Sequence, residues 1–454
     1  MELSFDELVE GLKGKVIFEG TNKTFNEICT DTRKIAKDNV FLALKGENFN
    51  GNEFALKALD MGASIVIVDE VLFEDKEIKD LNKGTIIKVS NTYQSLLSLA
   101  KYYREKLRIK VVGITGSTGK TSTKDLTSAF LSGKYKVFKT EGNFNNHIGL
   151  PLMILKLSSE YDVAVLELGM SNLKEIHTLA ECARPDIAVI TNIGLSHIEN
   201  LKTQDNILKA KMEITDFFNQ KNTLIVNAQD EYLQDLECQN YEILKTGYDD
   251  KFNFVAKSIK VLEDKTVFDI SDDGIDYTFD LPMVGAHNVL NALLAVAVSK
   301  KLGLTFEEMI QGLKNIQATS MRLQFIKKDK ITIINDCYNA SPDSMKAALD
   351  VLNSTKGKRK VAILGTMNEL GHEAENSHKK VAEYAKGRVN LLIVTGDYKE
   401  SYKKGFEKND IKIYNTKVEL IEDLKNVVKD GDVILVKASR GIKYEDVVKH
   451  LENL

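Results

Sequence analysis

Residues Gly113–Ser122 read GITGSTGKTS, and this stretch decides how the chain is interpreted. The β-branched run Lys110–Thr115 leads into it, and a helical pattern follows from Lys120. A glycine-rich turn between a strand and a helix presents backbone amides to an anion, and a lysine there reaches the outer phosphates of a nucleotide. The common phosphate-binding pattern has a glycine where this chain has Ile114. The stretch predicts nucleotide binding by a loop whose sequence departs from the common pattern. The alternative is a glycine-rich turn that binds nothing.

The composition fits an enzyme-sized globular protein with small-molecule partners. The 454 residues are 43% hydrophobic and 28% charged, a balance typical of folded domains. Its 62 basic and 66 acidic residues are interspersed and give a formal charge of -4, so no basic patch for nucleic acid or anionic lipid is visible. We therefore expect neither a nucleic-acid partner nor a membrane partner.

The compartment is predicted from the cysteines and the N-terminus. The spacing of the cysteines fits neither a zinc site nor a redox pair, and reduced thiols in the cytoplasm are the simplest interpretation. The N-terminal residues lack the basic and apolar regions of a signal peptide, and no apolar run approaches the ~20 residues that span a bilayer. A cytoplasmic protein is therefore expected. The cysteines are Cys29, Cys182, Cys238 and Cys337.

The alternation of apolar runs with helical patterns predicts an α/β protein of three domains. Continuous β-branched runs are typical of parallel strands that are buried on both faces. We expect a central P-loop parallel-sheet ATPase domain, flanked by a small N-terminal α/β domain and a C-terminal Rossmann-like α/β domain. The expected boundaries are 1–84, 85–317 and 318–454. The runs are DVAVLEL (162–168), DIAVITNIG (186–194), NTLIVN (222–227), ITIIND (331–336), KVAILG (360–365), NLLIVTG (390–396) and DVILVKAS (432–439).

Four side chains near one sheet edge suit phosphate chemistry. Lys120 is placed to reach the outer phosphates, and Thr121 offers a hydroxyl to magnesium. Glu167 ends the next strand at the edge where active sites of open α/β sheets lie, so it is either a magnesium ligand or a solvated strand-end acid. His197 follows the third strand at the same edge. A metal or substrate role and an ordinary surface or core position both remain open for it.

A helical stripe predicts which of two nearby lysines faces inward. At ~100° per residue, Lys211 shares a narrow face with Ile207, Ile214 and Phe218, whereas Lys209 points to the opposite side. An inward lysine either extends its amine to solvent or keeps it buried, and burial lowers the pKa of the amine and permits its modification. The pattern does not decide between the two.

A polar group opens the apolar helical segment at residues 287–303. His287 and Asn291 share a face, and Asn288 lies beside them. Such amides either cap the helix start or frame a nucleotide base. Spacing alone leaves both interpretations open.

These motifs together resemble those of the Mur ligase family, which comprises ATP-dependent amide ligases of peptidoglycan precursor synthesis. Residues Thr115–Thr121 reproduce the family loop T-G-[ST]-x-G-K-T, so the departure from the common phosphate-binding pattern is itself a feature of the family. The segments E-x-G, N-x-G-x-x-H, A-K-x-E and H-N-x-x-N also occur in family order, at Glu167, His197, Lys211 and His287. The resemblance extends over nearly the whole chain.

Within the family, the chain resembles the branch that joins D-alanyl-D-alanine to UDP-N-acetylmuramoyl-tripeptide. The segments GNFNNHIGLPLMIL, INDCYNASPDSMKAAL and ILGTMNELG are similar to those of this branch. The acidic-Asn-Pro-Arg motif with which another branch selects a diamino acid is missing from the sequence. The N-terminal segment carries the family's D-[ST]-R and resembles the domain that holds the UDP-sugar. The implied UDP-sugar contacts are Asp31, Thr32, Arg33, Lys45 and Gly46.

The resemblance implies a mechanism in which ATP converts the peptide carboxylate to an acyl phosphate, which the amine of the dipeptide then attacks. Lys120 and Arg322 would stabilise the γ-phosphate. Thr121 and Glu167 would hold one magnesium ion, and His197 would help to hold a second. Lys211 matches the lysine that the family carbamylates, which would turn a cation into a metal-binding anion.

The resemblance also implies the nucleotide contacts. Asn288 and Asn291 would lie near adenine, and Asp336 near the ribose. The implied ATP-binding residues are Thr115, Gly116, Ser117, Thr118, Gly119, Lys120, Thr121, Asn288, Asn291 and Asp336. A monomer is expected from the same resemblance.

Three positions depart from the family pattern, and two alternative functions are considered. Thr366 replaces an aspartate, Met321 replaces the glycine before Arg322, and Ala438 replaces a glycine. The alternatives are a diamino-acid-adding or folylpolyglutamate-like ligase and a regulatory GTPase. The N-K-x-D segment with which such GTPases read guanine is missing from the sequence.

Overall fold

The computed structural model describes residues 1–74, 77, 84–317, 319–407 and 409–454. Ala318, the first residue of the expected C-terminal domain, lies outside the described residues. Among the described residues, no helix is both long and apolar enough to cross a membrane. The α-helices are α1 (Phe5–Leu12), α2 (Ala55–Asp60), α3 (Thr92–Lys106), α4 (Lys120–Leu131), α5 (Gly149–Leu155), α6 (Glu175–Ala183), α7 (Ile198–Leu201), α8 (Gln204–Met212), α9 (His287–Lys301), α10 (Phe306–Leu313), α11 (Pro342–Ser354), α12 (Ala374–Ala385), α13 (Lys399–Phe406), α14 (Lys417–Val427) and α15 (Glu445–Glu452).

The N-terminal strands form one twisted sheet and a small hairpin. They are β1 (Lys15–Phe18), β2 (Ile28–Cys29), β3 (Val40–Leu42), β4 (Lys45–Gly46), β5 (Phe49–Asn50), β6 (Ile65–Val68) and β7 (Thr85–Lys88). The sheet order is β1-β7-β6-β3-β2, and only β1 runs antiparallel to its neighbour among these pairs. Strands β4 and β5 pair separately.

Strand β7 corrects the expected first boundary. A division after residue 84 would place Thr85–Lys88 in the central domain, but this strand pairs with both β1 and β6. The run of Ile86 and Ile87 is buried in that sheet. A short apolar run predicts a strand but not its pairing partner, because pairing is decided by tertiary packing.

The central sheet is wholly parallel, as its apolar runs predict. Its order is β14-β13-β12-β11-β8-β10-β9, so the strand before the glycine-rich loop lies between β10 and β11. The carboxyl ends of these three strands meet at one edge. The strands are β8 (Lys110–Thr115), β9 (Val137–Lys139), β10 (Val163–Glu167), β11 (Ile187–Ile190), β12 (Thr223–Asn227), β13 (Glu242–Gly247) and β14 (Phe254–Val255).

Two further sheets complete the fold. An antiparallel sheet that the sequence did not predict follows the central one and comprises β15 (Lys257–Val261), β16 (Thr266–Asp272) and β17 (Ile275–Leu281). The C-terminal sheet has the order β18-β19-β23-β20-β21-β22 and is parallel except for the β18–β19 pair. Its strands are β18 (Gln324–Lys327), β19 (Thr332–Asn335), β20 (Arg359–Leu364), β21 (Leu391–Val394), β22 (Ile411–Ile413) and β23 (Asp432–Lys437).

Candidate active site

The glycine-rich loop adopts backbone angles that require glycine. Gly116 has a φ of 149° and Gly119 a φ of 79°, and both lie in the region that L side chains rarely adopt. A Cβ on Gly119 would lie 2.6 Å from Oδ1 of Asn291, and one on Gly116 would lie 1.8 Å from Oγ1 of Thr191. The loop therefore packs too closely on its neighbours to accept a larger residue.

A neighbouring asparagine holds the loop in this shape. The backbone amide of Thr118 donates to Oδ1 of Asn192 at 2.9 Å, and Nδ2 of Asn192 donates to Oγ1 of Thr118 at 2.7 Å. The amide of Ser117 donates to the carbonyl of Asn192 at 3.0 Å. Asn192 follows β11, so the segment that leads to His197 also fixes the loop.

Lys120 begins helix α4 and turns back over the loop. Its Nζ donates to the carbonyl of Gly116 at 2.5 Å. Burial lowers the pKa of Lys120 to about 8, although the nearby Glu167 and Glu369 carboxylates act in the opposite direction. A lysine at a helix N-terminus beside loop amides forms an anion site.

Glu167 is a buried carboxylate rather than a solvated strand-end acid. It is 2% exposed. Its Oε1 accepts no hydrogen bond from the described chain and lies 3.6 Å from Nζ of Lys124. Its Oε2 accepts a long hydrogen bond of 3.5 Å from Nδ2 of Asn145. Buried carboxylate oxygens of this kind are costly unless they are paired or bind a cation.

His197 meets a carboxylate from the C-terminal part of the chain. Its Nδ1 lies 2.5 Å from Oε2 of Glu369, and this contact lowers the pKa of Glu369. The carbonyl of Glu369 also accepts from the amide of Glu199 at 3.1 Å. The C-terminal sheet is therefore docked at the edge that carries the glycine-rich loop.

The inward orientation predicted for Lys211 is confirmed. Lys211 is 1% exposed, whereas Lys209 on the same helix is exposed. Within the described chain, no carboxylate lies within 4.0 Å of its amine. Burial and the charge of Lys120 hold the pKa of Lys211 well below its usual range, because both disfavour the ammonium form.

Arg322 reaches the loop from the segment that joins helix α10 to strand β18, which is called the linker below. Its Nη2 donates to Oγ1 of Thr121 at 2.8 Å, and its guanidinium lies over the ring of Tyr338 at 4.2 Å. Its buried Nε has no acceptor among the described residues. Met321 has a φ of 59°, which explains why glycine suits that position, but the methionine adopts the angle and Arg322 still reaches Thr121.

The polar start of helix α9 lies against the loop helix. Oδ1 of Asn291 accepts from Oγ1 of Thr123 at 3.3 Å, and its Nδ2 donates to Oδ1 of Asn288 at 3.3 Å. Nδ2 of Asn288 donates to the carbonyl of Val284 at 3.0 Å. Burial lowers the pKa of His287. The amides therefore fix α9 on α4.

Asp336 is tied into the C-terminal sheet. Its Oδ2 lies 2.5 Å from Nζ of Lys437, and its Oδ1 accepts from the amide of Leu323 at 3.1 Å. This second bond joins Asp336 to the residue that follows Arg322. The departures Thr366 and Ala438 are both buried, and Ala438 packs its methyl group beneath Gly365.

The N-terminal residues singled out for the UDP-sugar lie beside the first sheet, in a 3-10 helix and in the β4–β5 hairpin. Arg33 forms a two-pronged ion pair with Asp31, at 2.9 Å and 2.8 Å, at the start of a 3-10 helix that Thr32 begins. Lys45 pairs with Glu70, and Gly46 follows it in the β4–β5 hairpin. Lys45 also lines a cavity of ≈ 390 Å³ together with residues that follow β3 and β6, residues at the start of helix α3 and residues before helix α5, namely Leu44, Asp69, Asn91, Thr92, Tyr93, His147 and Ile148.

Several of these contacts were not expected from the sequence. Asn192 and Glu369 lie inside quoted motifs, but their partners come from distant parts of the chain. Lys124 and Asp125 follow the loop within helix α4 and are both buried. An i and i+4 spacing from Lys120 and Thr121 was the available signal, since such residues share a helix face.

Comparison with known proteins identifies the family. The chain matches three family models: the Mur ligase family, catalytic domain over residues 24–104, the Mur ligase middle domain over 114–299, and the Mur ligase, glutamate ligase domain over 321–440. These segments cover most of the chain.

Curated relatives and solved structures resemble this chain over nearly the full length of both chains. The UDP-N-acetylmuramoyl-tripeptide--D-alanyl-D-alanine ligase of Bacillus subtilis is 38% identical, over 98% of this chain and 96% of that protein. The crystal structure of MurF from Acinetobacter baumannii is 29% identical and covers 99% of both chains with a TM-score of 0.89. MurF ligase from Thermotoga maritima in complex with ADP is 28% identical, over 94% of this chain and 97% of that one, with a TM-score of 0.83. The chain therefore belongs to the Mur ligase family.

Proposed function

We propose that this protein is an ATP-dependent ligase that joins D-alanyl-D-alanine to UDP-N-acetylmuramoyl-tripeptide and yields the UDP-muramoyl-pentapeptide of peptidoglycan synthesis. A carboxylate oxygen is a poor leaving group, so ATP first phosphorylates the terminal carboxylate of the tripeptide. The amine of the dipeptide attacks this acyl phosphate, and the tetrahedral intermediate expels phosphate. The observation that carries the proposal is Arg322, which reaches Thr121 of the glycine-rich loop from the linker.

Two cations from different parts of the chain would neutralise the charge of the γ-phosphate. Lys120 approaches from the helix start, and Arg322 approaches from the linker with a buried Nε donor that has no acceptor in the described part of the chain. Phosphoryl transfer depends mainly on positioning and charge neutralisation, so a cation that moves with the C-terminal sheet can couple docking to chemistry. The loop backbone from Thr115 to Thr121 surrounds the phosphates in this scheme.

The residues at the sheet edge fit magnesium. The described chain contains no ready-made group of three His, Cys, Asp or Glu side chains that could hold a metal. Magnesium needs only one or two protein carboxylates when phosphate oxygens complete its shell. Thr121 and Oε1 of Glu167, which accepts no hydrogen bond from the described residues, would hold one ion, and His197 would hold part of a second. The ions would neutralise phosphate charge during transfer.

Lys211 completes this donor set as a carbamate. Only a neutral amine adds to carbon dioxide, and burial beside Lys120 lowers the pKa of Lys211 and so favours that form. The carbamate would be an anion, so its interaction with the Lys120 ammonium would be attractive. It would hold magnesium where an ammonium would repel it.

The remaining substrates are assigned to the flanking regions. Asn288 and Asn291 would contact adenine and Asp336 the ribose. The UDP-sugar would bind on the N-terminal sheet through Asp31, Thr32, Arg33, Lys45 and Gly46. The chain would divide after β7 and again near residue 318, and would act in the cytoplasm as a monomer. Lysine and diaminopimelate are both open as the third peptide residue.

A specificity assay tests this function. The purified protein receives ATP, magnesium and UDP-muramoyl-tripeptide with either third residue, and released phosphate and product mass are measured. We expect ligation with D-alanyl-D-alanine. Phosphate release with UDP-muramoyl-dipeptide and a diamino acid, or with a folate and glutamate, but not with D-alanyl-D-alanine, would contradict the proposal. A preference for GTP would favour the GTPase alternative.

A further inference from the structure

Two buried charges in helix α4 are not among the residues to which the proposed function assigns a role. Lys124 and Asp125 are each 3% exposed. A charge is costly to bury unless hydrogen bonds and an opposite charge compensate it. The partners of Asp125 therefore indicate what the carboxylate does.

The two oxygens of Asp125 have different partners. Its Oδ1 lies 3.0 Å from Nζ of Lys139 and 3.4 Å from Nζ of Lys124. Its Oδ2 accepts two hydrogen bonds from one residue, from the hydroxyl of Thr319 at 2.7 Å and from the backbone amide of Thr319 at 3.3 Å. Oδ1 therefore pairs with lysines of helix α4 and strand β9, whereas Oδ2 binds the linker at Thr319.

The linker is fastened to helix α4 at a second point. Arg322, three residues after Thr319, donates to Oγ1 of Thr121. Thr121 and Asp125 are four residues apart and share one helix face. Thr319 and Arg322 therefore lie along the same face of α4, and Thr319 is bound to a buried carboxylate.

We propose that Asp125 is a positioning residue that fixes Arg322 over the phosphate loop by holding the linker at Thr319. The inference deepens the proposed function, because Arg322 matters for phosphate transfer only if that function is correct. Arg322 itself contacts the loop, whereas Asp125 acts through the backbone between Thr319 and Arg322. A carboxylate that receives both an amide and a hydroxyl from one residue restrains that residue in position and orientation.

The first test removes the hydroxyl while keeping the size of the side chain. Thr319→Val should lower kcat by about 10-fold to 100-fold, since a shift of about 1 Å in a charge-stabilising group has an effect of this order. The KM for UDP-muramoyl-tripeptide should not change. Thr319→Ser keeps the hydroxyl and should retain near-normal kcat, and Asp125→Asn should resemble Thr319→Val. Normal kcat in Thr319→Val would overturn the proposal.

A double-mutant comparison separates positioning from general stability. Arg322→Lys keeps a cation but loses the donor geometry, and adding Thr319→Val to it should lower kcat by less than about twofold further, because linked residues are not additive. If the two losses in kcat multiply instead, Thr319 acts independently of Arg322 and the proposal is wrong. Thermal melting of each variant identifies any loss that reflects unfolding.

A spectroscopic readout does not depend on ligation at all. The chain contains no tryptophan, so Tyr338→Trp would introduce a single indole under the Arg322 guanidinium. In this background, Thr319→Val should change the fluorescence emission, and Thr319→Ser should not. Unchanged emission with Thr319→Val would overturn the positioning role, whereas failed ligation by the parent protein would overturn only the proposed function.

Discussion

At the scale of single residues, burial lowers the pKa of two lysines to different extents. Lys120 keeps carboxylates nearby and its pKa falls only to about 8, so it remains a cation near neutral pH. Lys211 is shielded from solvent and lies near the charge of Lys120, and both hold its pKa well below its usual range. Lys120 is therefore suited to phosphate, and Lys211 to the modification proposed for it. The loop motif and the helical stripe predicted these two positions, but the difference in pKa depends on burial in the folded chain.

Replacement of Lys211 tests the carbamate. Lys211→Ala should lower ligation at least about 100-fold, because it removes a group proposed to hold magnesium. Short-chain carboxylic acids should restore part of the rate by supplying an anion in the space that the side chain leaves. Lys209→Ala is the matched control on the exposed face of the same helix and should remain active. A near-normal rate in Lys211→Ala would remove the metal-holding role.

The pKa of Lys120 predicts how ATP binding depends on pH. Below pH 8 the free protein already carries the ammonium that phosphate needs. Above pH 8 binding must take up a proton, so affinity for ATP should fall by up to about tenfold per pH unit. Calorimetry in buffers of different ionisation enthalpy would measure the uptake. Lys120→Arg stays charged, so its affinity should show no such slope; an equal slope would assign the proton to another group.

At the scale of elements, the site depends on how closely the loop, helix α4 and helix α9 approach one another. Buried runs predicted the strands of the central sheet, because parallel strands covered on both faces are continuously apolar. They could not predict that Thr85–Lys88 joins the first sheet or that Lys257–Leu281 forms an antiparallel one, since pairing is settled by tertiary packing. Glu369 was likewise beyond prediction, because its contact with His197 exists only after two sheets dock.

A pair of glycines tests the close approach. Gly119→Ala and Gly303→Ala both place a Cβ at a φ near 80°, which should cost each variant about 1–2 kcal/mol of unfolding free energy through backbone strain alone. A Cβ on Gly119 meets Asn291, whereas nothing lies within 4 Å of one on Gly303. Only Gly119→Ala should also lose nucleotide affinity. Equal nucleotide affinity in the two variants would show that the contact with Asn291 is unimportant for binding.

At the scale of the whole molecule, ATP is assigned to the edge of the central sheet and the UDP-sugar to the N-terminal sheet, so we expect the sheets to close over one site when both ligands bind. A single compact body of this length would have a radius of gyration of about 22 Å. Small-angle scattering should give a larger value for the free protein and a smaller one with a non-hydrolysable ATP analogue plus UDP-muramoyl-tripeptide. Identical profiles would argue against closure.

The central claim is that the γ-phosphate goes to the peptide carboxylate. The most direct measurement uses UDP-muramoyl-tripeptide labelled with ¹⁸O in its terminal carboxylate, and mass spectrometry of the phosphate released during ligation to D-alanyl-D-alanine. An acyl phosphate breaks between carbon and the bridging oxygen, so the account predicts one labelled oxygen in each phosphate. Phosphate without label, released during normal pentapeptide formation, would contradict it.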